Sequence, residues 1–231
     1  MLALSIVGCE STTAQAPSVS TPTPTPAPSP PPSPAPLPPA STAEDYNKRG
    51  LTLAQEHSYG QAISAFDKAI EMNPAYTEAY ANRGRAYADK WEYDRAISDF
   101  NKAIELEPAY AEAYNNRGMV YGYTGEYSKA LTDHGKAIEL DPENASYYKD
   151  QGVIYRAERE YYKAIESFNK AIDLDSEMAN AYYLRGVTYG VIGNKDRAIA
   201  DLETCIELTQ DLSLAEAAQQ RIKEILTPST C

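Results

Sequence analysis

The sequence is poor in cysteine, histidine and basic residues, and each shortage removes a class of protein. The three cysteines are Cys9, Cys205 and Cys231, and no CxxC pair occurs, so no disulfide framework is expected. The two histidines, His57 and His134, are too few and too unlike in setting to suggest a metal pair or a catalytic triad. With 21 basic against 33 acidic residues, the net charge of −12 argues against nucleic acid as the partner.

Proline is present, but its distribution is uneven. Twelve of the 16 prolines lie between Pro17 and Pro39, where they mark a linker. Pro74, Pro108 and Pro142 follow at intervals of 34 residues. A fixed interval of this length indicates a repeated structural unit.

Residues 1–9 form a short apolar leader. The sequence Ile6-Val7-Gly8-Cys9 resembles a bacterial lipobox, which implies a diacylated cysteine as the mature first residue and a lipid-anchored protein of the bacterial cell envelope, facing the periplasm or the exterior. A complete signal has a basic region and a longer apolar run, whereas eight residues without a basic one precede Cys9. Either the true start lies upstream, or the resemblance is accidental and the protein is secreted or soluble.

Residues 10–42 are rich in Ser, Thr, Pro and Ala, including the run STPTPTPAPSPPPSPAPLPP. Such a composition cannot bury a core, so this segment is predicted to be disordered. Proline-rich chain rises about 3.1 Å per residue, and residues 10–42 could therefore reach on the order of 100 Å. A lipid on Cys9, a stiff tether and a folded domain form a coherent arrangement; a proline-rich ligand for another domain is less favoured, because flanking basic residues are absent.

From residue 43 the chain divides into five units of 34 residues, 43–76, 77–110, 111–144, 145–178 and 179–212. Tyrosine recurs at position 4 of every unit and alanine at position 20. Glycine recurs at position 8, as Gly50, Gly84, Gly118, Gly152 and Gly186. Position 24 is Phe, His or Leu, position 27 is Ala or Cys, and position 32 is Pro in the first three units. The pattern resembles the tetratricopeptide repeat (TPR) over residues 43–212.

The resemblance implies an all-α fold, a right-handed α-solenoid of five helix-turn-helix repeats. Residues 213–226 are predicted to form a capping helix that covers the apolar end of the stack, and 227–231 a frayed tail. The small residues at positions 8 and 20 are expected where the two helices of a unit cross. By their positions, His134 and Cys205 are expected to be buried core residues, and His57 a solvated loop residue. One departure stands out, since position 7 is usually Leu and here is Arg in four units and Gln151 in the fourth.

The same resemblance implies that the first helix of each unit lines a concave binding groove. The residues predicted to meet a partner there are Asn47, Asn82, Arg85, Asn115, Asn116, Met119, Tyr123, Lys149, Arg156 and Tyr183. Asn82 and Asn116, at the same repeat position, could hold a peptide backbone, because an amide both donates and accepts; the alternative is two tolerated polar residues. The carboxylate clamp of some relatives is not matched. Tyr183, Leu184 and Val187 predict either an apolar docking patch or the seat of the capping helix.

Taken together, these patterns predict a non-enzymatic scaffold or adaptor that binds a partner protein or peptide while tethered to a membrane. No catalytic residues, cofactor or metal site are predicted. The alternative is a structural module that self-associates without a dedicated groove ligand.

Overall fold

The computed structural model describes residues 42–227. Within this range the chain forms eleven helices and no strands: α1 (Ala43–Gln55), α2 (Tyr59–Met72), α3 (Thr77–Asp89), α4 (Tyr93–Leu106), α5 (Ala111–Tyr123), α6 (Tyr127–Leu140), α7 (Ala145–Ala157), α8 (Tyr161–Leu174), α9 (Ala179–Val191), α10 (Lys195–Leu208) and α11 (Leu212–Leu226). Each predicted unit contains one helix pair. The predictions for Cys9, Cys231 and nearly all of the linker fall outside the described residues.

The helices pack in chain order, as an α-solenoid requires. The two helices of each repeat pack on each other, and every second helix packs on the first helix of the next repeat. The predicted small residues lie at these crossings, because the position-20 alanines are fully buried. A Cβ added to Gly50 would lie 2.4 Å from the ring of Phe66. Phe66 in turn packs against Ala86 of the next repeat, so position 24 joins neighbouring repeats.

The turn inside every repeat has the same left-handed residue. Position 15 has positive φ in all five repeats, at His57, Trp91, Gly125, Arg159 and Gly193. The following residue donates its backbone N–H to the carbonyl five residues earlier, as Glu160 does to Tyr155 at 2.9 Å. This is the Schellman ending of a helix, for which glycine is the best residue. Three of the five repeats therefore carry a strained residue there. His57 is exposed, as expected for this turn.

The arginine at position 7 is explained by a carboxylate at position 23 of the same repeat. Arg83 donates from Nε and Nη2 to the two carboxylate oxygens of Asp99, at 2.8 and 2.7 Å, and its Nη1 reaches Asp67 at 2.6 Å. The hydrogen bonds to Asp99 are the main cause of the raised pKa of Arg83. The same two-pronged pair recurs as Arg117–Asp133 and Arg185–Asp201.

The fourth repeat replaces this ion pair with a neutral one. Gln151 accepts a hydrogen bond from Ser167 at 2.9 Å. In the first repeat, position 23 is Ala65, and Arg49 is exposed. A planar guanidinium between two tyrosine rings and a carboxylate is thus a recurring, but not invariant, link between the two helices of a repeat.

The final helix closes the stack, as predicted. Asp211 caps α11 by accepting from the backbone of Ser213 and Leu214, at 2.8 and 3.4 Å. Ala218 is fully buried against Leu202 and Cys205 of α10. The helix begins one residue earlier than the sequence pattern suggested. Burial of Cys205, with its raised thiol pKa, confirms that it is a core residue.

Candidate binding groove

The first helices of the repeats form one continuous face. Along this face α1 packs on α3, α3 on α5, α5 on α7 and α7 on α9, and α9 also packs on α11. Side chains at position 5 of one repeat and position 6 of the next meet along it, although they are 35 residues apart in the chain. All of the predicted groove residues belong to these first helices, but their exposure differs.

Asn47 and Asn115 are buried, 7% and 6% exposed, which corrects the prediction that both offer their amides to a partner. Position 5 of one repeat faces position 6 of the next. Asn82 therefore donates from Nδ2 to Asn47 at 3.0 Å, and Asn115 donates to Asp150 at 2.9 Å. Asn47 in turn donates to the Tyr76 hydroxyl at 3.3 Å. These amides hold adjacent repeats together.

Asn116 lies in the same layer but lacks the corresponding acceptor. The residue that would face it, at position 5 of the preceding repeat, is Ala81 instead of Asn. Its amide nitrogen is buried without a hydrogen-bond partner among the described residues. The two stacked asparagines thus have different surroundings, and they do not form a uniform ladder for a peptide backbone.

His134 lies beneath this layer and is fully buried, as expected for a core residue. Its Nδ1 lies 2.9 Å from the side-chain oxygen of Asn115, which only accepts, so Nδ1 carries the proton. Nε2 is buried and has no partner within residues 42–227. Burial lowers the pKa of His134 to about 4, although the carboxylates of Asp150 and Asp133 act in the opposite direction. The imidazole is therefore neutral at pH 7.

The middle of the groove offers exposed side chains. Tyr123 is 63% exposed, and its ring stacks on Tyr93 of the preceding repeat with the centroids 6.0 Å apart. Arg85 is exposed and lies 3.6 Å from Glu112. Met119, which comes between Arg85 and Tyr123 in the chain, is half-buried. An aromatic pair, a thioether and a loosely paired guanidinium suit contact with a protein segment.

The apolar end of the groove is covered by α11. Tyr183 and Val187 pack against the cluster of Leu202, Cys205 and Ala218, together with apolar side chains of α11. Of the two predictions for this patch, the seat of the capping helix is the one observed. Lys149, another predicted residue of this half, lies 3.1 Å from Asp150 and is half-buried.

Beside the capping helix, residues of α7, α9, α10 and α11 line an open cavity of about 500 Å³. The predicted residue Arg156 lines it, together with two cations that the sequence did not point to, Lys195 and Arg221. The stacking of α7, α10 and α11 brings these three side chains to the same cavity. In the sequence, only Arg156 indicated this site, because position 12 is Ala or Gly in the other four repeats.

Neither metal clusters nor membrane-spanning helices are found within residues 42–227. In that range no three His, Cys, Asp or Glu side chains are grouped to hold a metal ion. None of its helices is both long and apolar enough to cross a bilayer.

Comparison with known families gives consistent matches over the repeats. A model described as "Tetratricopeptide repeat" matches residues 111–144, and a second with that description matches 44–76 and 179–212. A model described as "TPR repeat" matches 84–125 and 152–193. Together they span well over half of the chain. Among curated proteins, none matches the sequence.

Solved structures of similar fold include several bacterial proteins. The chain is similar to YrrB, described as a TPR protein with an unusual peptide-binding site, at 25% identity and TM-score 0.56, covering 77% of this chain and 92% of that one. It is similar to MamA at 26% identity and TM-score 0.59, covering 74% and 96%. A thermophilic TPR protein of Thermus thermophilus matches at 21% identity and TM-score 0.70, covering 80% and 99%, and shows the fold alone.

Proposed function

The chain belongs to the tetratricopeptide-repeat family, and from this premise we propose that it is a non-enzymatic adaptor that binds a segment of a partner protein in its groove. Proteins of this family typically act through protein–protein contacts. YrrB, one of the similar structures, is described as having a peptide-binding site. A peptide or helix of a partner is therefore the favoured occupant of the groove.

The observation that carries the proposal is the exposed centre of the groove. Arg85, Met119 and Tyr123 come from neighbouring repeats and lie on the face formed by α3 and α5. Large exposed aromatic side chains are enriched where proteins bind partners. Tyr123 is 63% exposed, whereas Val120 on the same helix is buried. Asn47 and Asn115 are buried in hydrogen bonds between repeats and do not add to this exposed surface.

The test is site-specific photo-crosslinking in the cells that make the protein. A photoreactive phenylalanine analogue replaces Tyr123 in one variant and Tyr162 in the control. Tyr162 is 78% exposed but lies on α8, one of the second helices, outside the groove face. We expect a protein adduct from position 123 and none of the same mass from position 162. Adducts from position 162 alone, or identical adducts from both, would contradict groove binding.

We further propose that Cys9 carries a lipid and that the proline-rich segment tethers the domain to a bacterial membrane. The support is the sequence pattern alone, Ile6-Val7-Gly8-Cys9 followed by the linker at 10–42. Metabolic labelling with an alkyne fatty acid and membrane fractionation test it. Wild-type protein should be labelled and sediment with membranes, and Cys9→Ala should be unlabelled and soluble. An unchanged distribution of Cys9→Ala would contradict the anchor.

Self-association remains the second candidate, favoured by two exposed leucines on the capping helix. Leu212 is 79% and Leu226 64% exposed. Exposed leucines at the end of a stack are suitable for end-to-end contact. Sedimentation of the full chain over a range of concentrations distinguishes the candidates: a monomer throughout excludes self-association, and a dimer lost in Leu212→Ser plus Leu226→Ser supports it.

A further inference from the structure

The cavity beside the capping helix combines cationic and apolar walls. Arg156 comes from α7, Lys195 from the start of α10, and Arg221 from α11. Val187, Val191 and Ile225 form the apolar part of the lining. Cavities of about 500 Å³ are large enough for a few side chains of a ligand.

The cavity carries positive charge in a protein that is strongly acidic. Three cations line it and one carboxylate, Glu224, which lies 2.8 Å from Arg221. The side chains of Arg156 and Lys195 have no hydrogen-bond or ion-pair partner among residues 42–227. The chain as a whole has a net charge of −12. Because two of these cations are unpaired, the cavity carries local positive charge, although the chain as a whole is negatively charged.

Arg156 is not required at its position by the fold. The equivalent residues are Ala54, Ala88, Gly122 and Gly190, and they pack without a charged group. Small residues are thus sufficient where one first helix meets the next. The long cationic side chain in the fourth repeat lines the cavity beside the capping helix, together with Gly190.

In contrast to the cavity, the middle of the groove is surrounded by carboxylates. Partial burial, together with the nearby carboxylates of Asp150 and Asp89, raises the pKa of Tyr123. Arg85, the cation there, is already close to Glu112. An acidic ligand is therefore attracted to the end of the groove beside α11 and not to its centre.

We propose that this cavity binds an acidic segment of a partner protein, with a carboxylate between Arg156 and Lys195 and an aliphatic side chain against Val191 and Ile225. The proposal rests on the function proposed above and names the chemistry of the segment that reaches this end of the groove. Carboxylate paired with guanidinium supplies directional hydrogen bonds, and the valine and isoleucine side chains supply apolar burial. The carboxylate could come from an aspartate, a glutamate or a chain end.

The experiment measures fluorescence anisotropy of labelled hexapeptides with the purified full-length protein. The probes are DELDEL with a free carboxyl end, the same peptide amidated, and the cationic control KKLKKL. We expect both forms of DELDEL to bind and KKLKKL not to bind. Equal affinity of the two DELDEL forms assigns the contact to side-chain carboxylates, and binding of the free form alone assigns it to a chain end. No binding of either form would overturn the proposal, while the crosslinks from position 123 would still decide groove binding separately.

Matched variants show whether the cavity is the site. Arg156→Gln combined with Lys195→Gln should weaken binding of DELDEL about tenfold or more, because charge-assisted hydrogen bonds are lost. Lys223→Gln is the control, since Lys223 is an exposed cation on α11 that does not line the cavity. Equal weakening by the control would show a general charge effect and overturn the proposal.

The charge-reversal variant Arg156→Glu with Lys195→Glu should instead bind KKLKKL. Failure of this reversal, in a variant with an unchanged circular dichroism spectrum, would also count against the proposal.

Discussion

Replacing Arg117 tests whether the recurring ion pairs hold the two helices of a repeat together. Arg117 donates to both carboxylate oxygens of Asp133 at 2.7 Å and to Asn101 at 2.6 Å. The side chains of the pair are only 18% and 7% exposed. Arg117→Gln leaves Asp133 buried without its cation, and breaking a buried pair in this way costs about 3–5 kcal/mol of unfolding free energy. Because the guanidinium retains some contact with water, we expect the lower end, about 3 kcal/mol.

The fourth repeat provides the compensating change. There Gln151 and Ser167 occupy the two positions and share a neutral hydrogen bond. The double variant Arg117→Gln with Asp133→Ser should therefore recover most of the loss, to within about 1 kcal/mol of wild type, since no buried charge is left unpaired.

Urea unfolding followed by circular dichroism measures these changes as shifts in the midpoint. An unchanged slope would verify that the same surface is exposed on unfolding in each variant. Lys136→Ala is the control, because Lys136 pairs with Glu139 in an exposed setting and should cost less than about 0.5 kcal/mol. A loss from Arg117→Gln no larger than the control, or a double variant as unstable as the single one, would refute the role given to the pair.

Three further predictions concern residues whose surroundings the structure makes explicit. Arg159→Gly should raise stability by about 1 kcal/mol and Gly193→Arg should lower it by a similar amount, because both sites have left-handed φ; thermal melts that show no opposite shifts would contradict this. Burial lowers the pKa of His134 from 6.5 to about 4, so the neutral imidazole contributes about 3 kcal/mol to the free energy of unfolding. This contribution is complete above pH 6.5 and is lost as the pH falls toward 4. His134→Phe should therefore flatten the dependence of the urea midpoint on pH. Asn115→Ala should cost about 1–3 kcal/mol in chemical unfolding, because buried partners lose their hydrogen bonds, whereas Asn116→Ala should change stability by less than about 0.5 kcal/mol; equal losses would refute the distinction.

The fold was largely predictable because its signals are local and repeated. Glycine at position 8, alanine at position 20 and the 34-residue interval of Pro74, Pro108 and Pro142 predicted the helix pairs, and the apolar spacing of residues 213–226 predicted the capping helix. The candidate site was only partly predictable. The family resemblance assigned the candidate residues to the first helix of each repeat, and these helices do pack on one another. It could not separate Asn115, which is buried and bonded, from Asn116, which lacks an acceptor.

The sequence by itself determined the period, the helical faces and the small residues at the crossings, since these depend on residues within a few turns of each other. The tertiary structure decided which polar side chains are free. From the sequence alone, Arg117 is a departure from the family pattern, and the structure explains it by the carboxylate of Asp133 beside it. Arg156 is one more surface cation in the sequence, and only the stacking of α7, α10 and α11 places it at the same cavity as Lys195 and Arg221. The reason is physical: periodicity determines which face of a helix is apolar, but the partners of a side chain are set by the stacking of helices far apart in the chain.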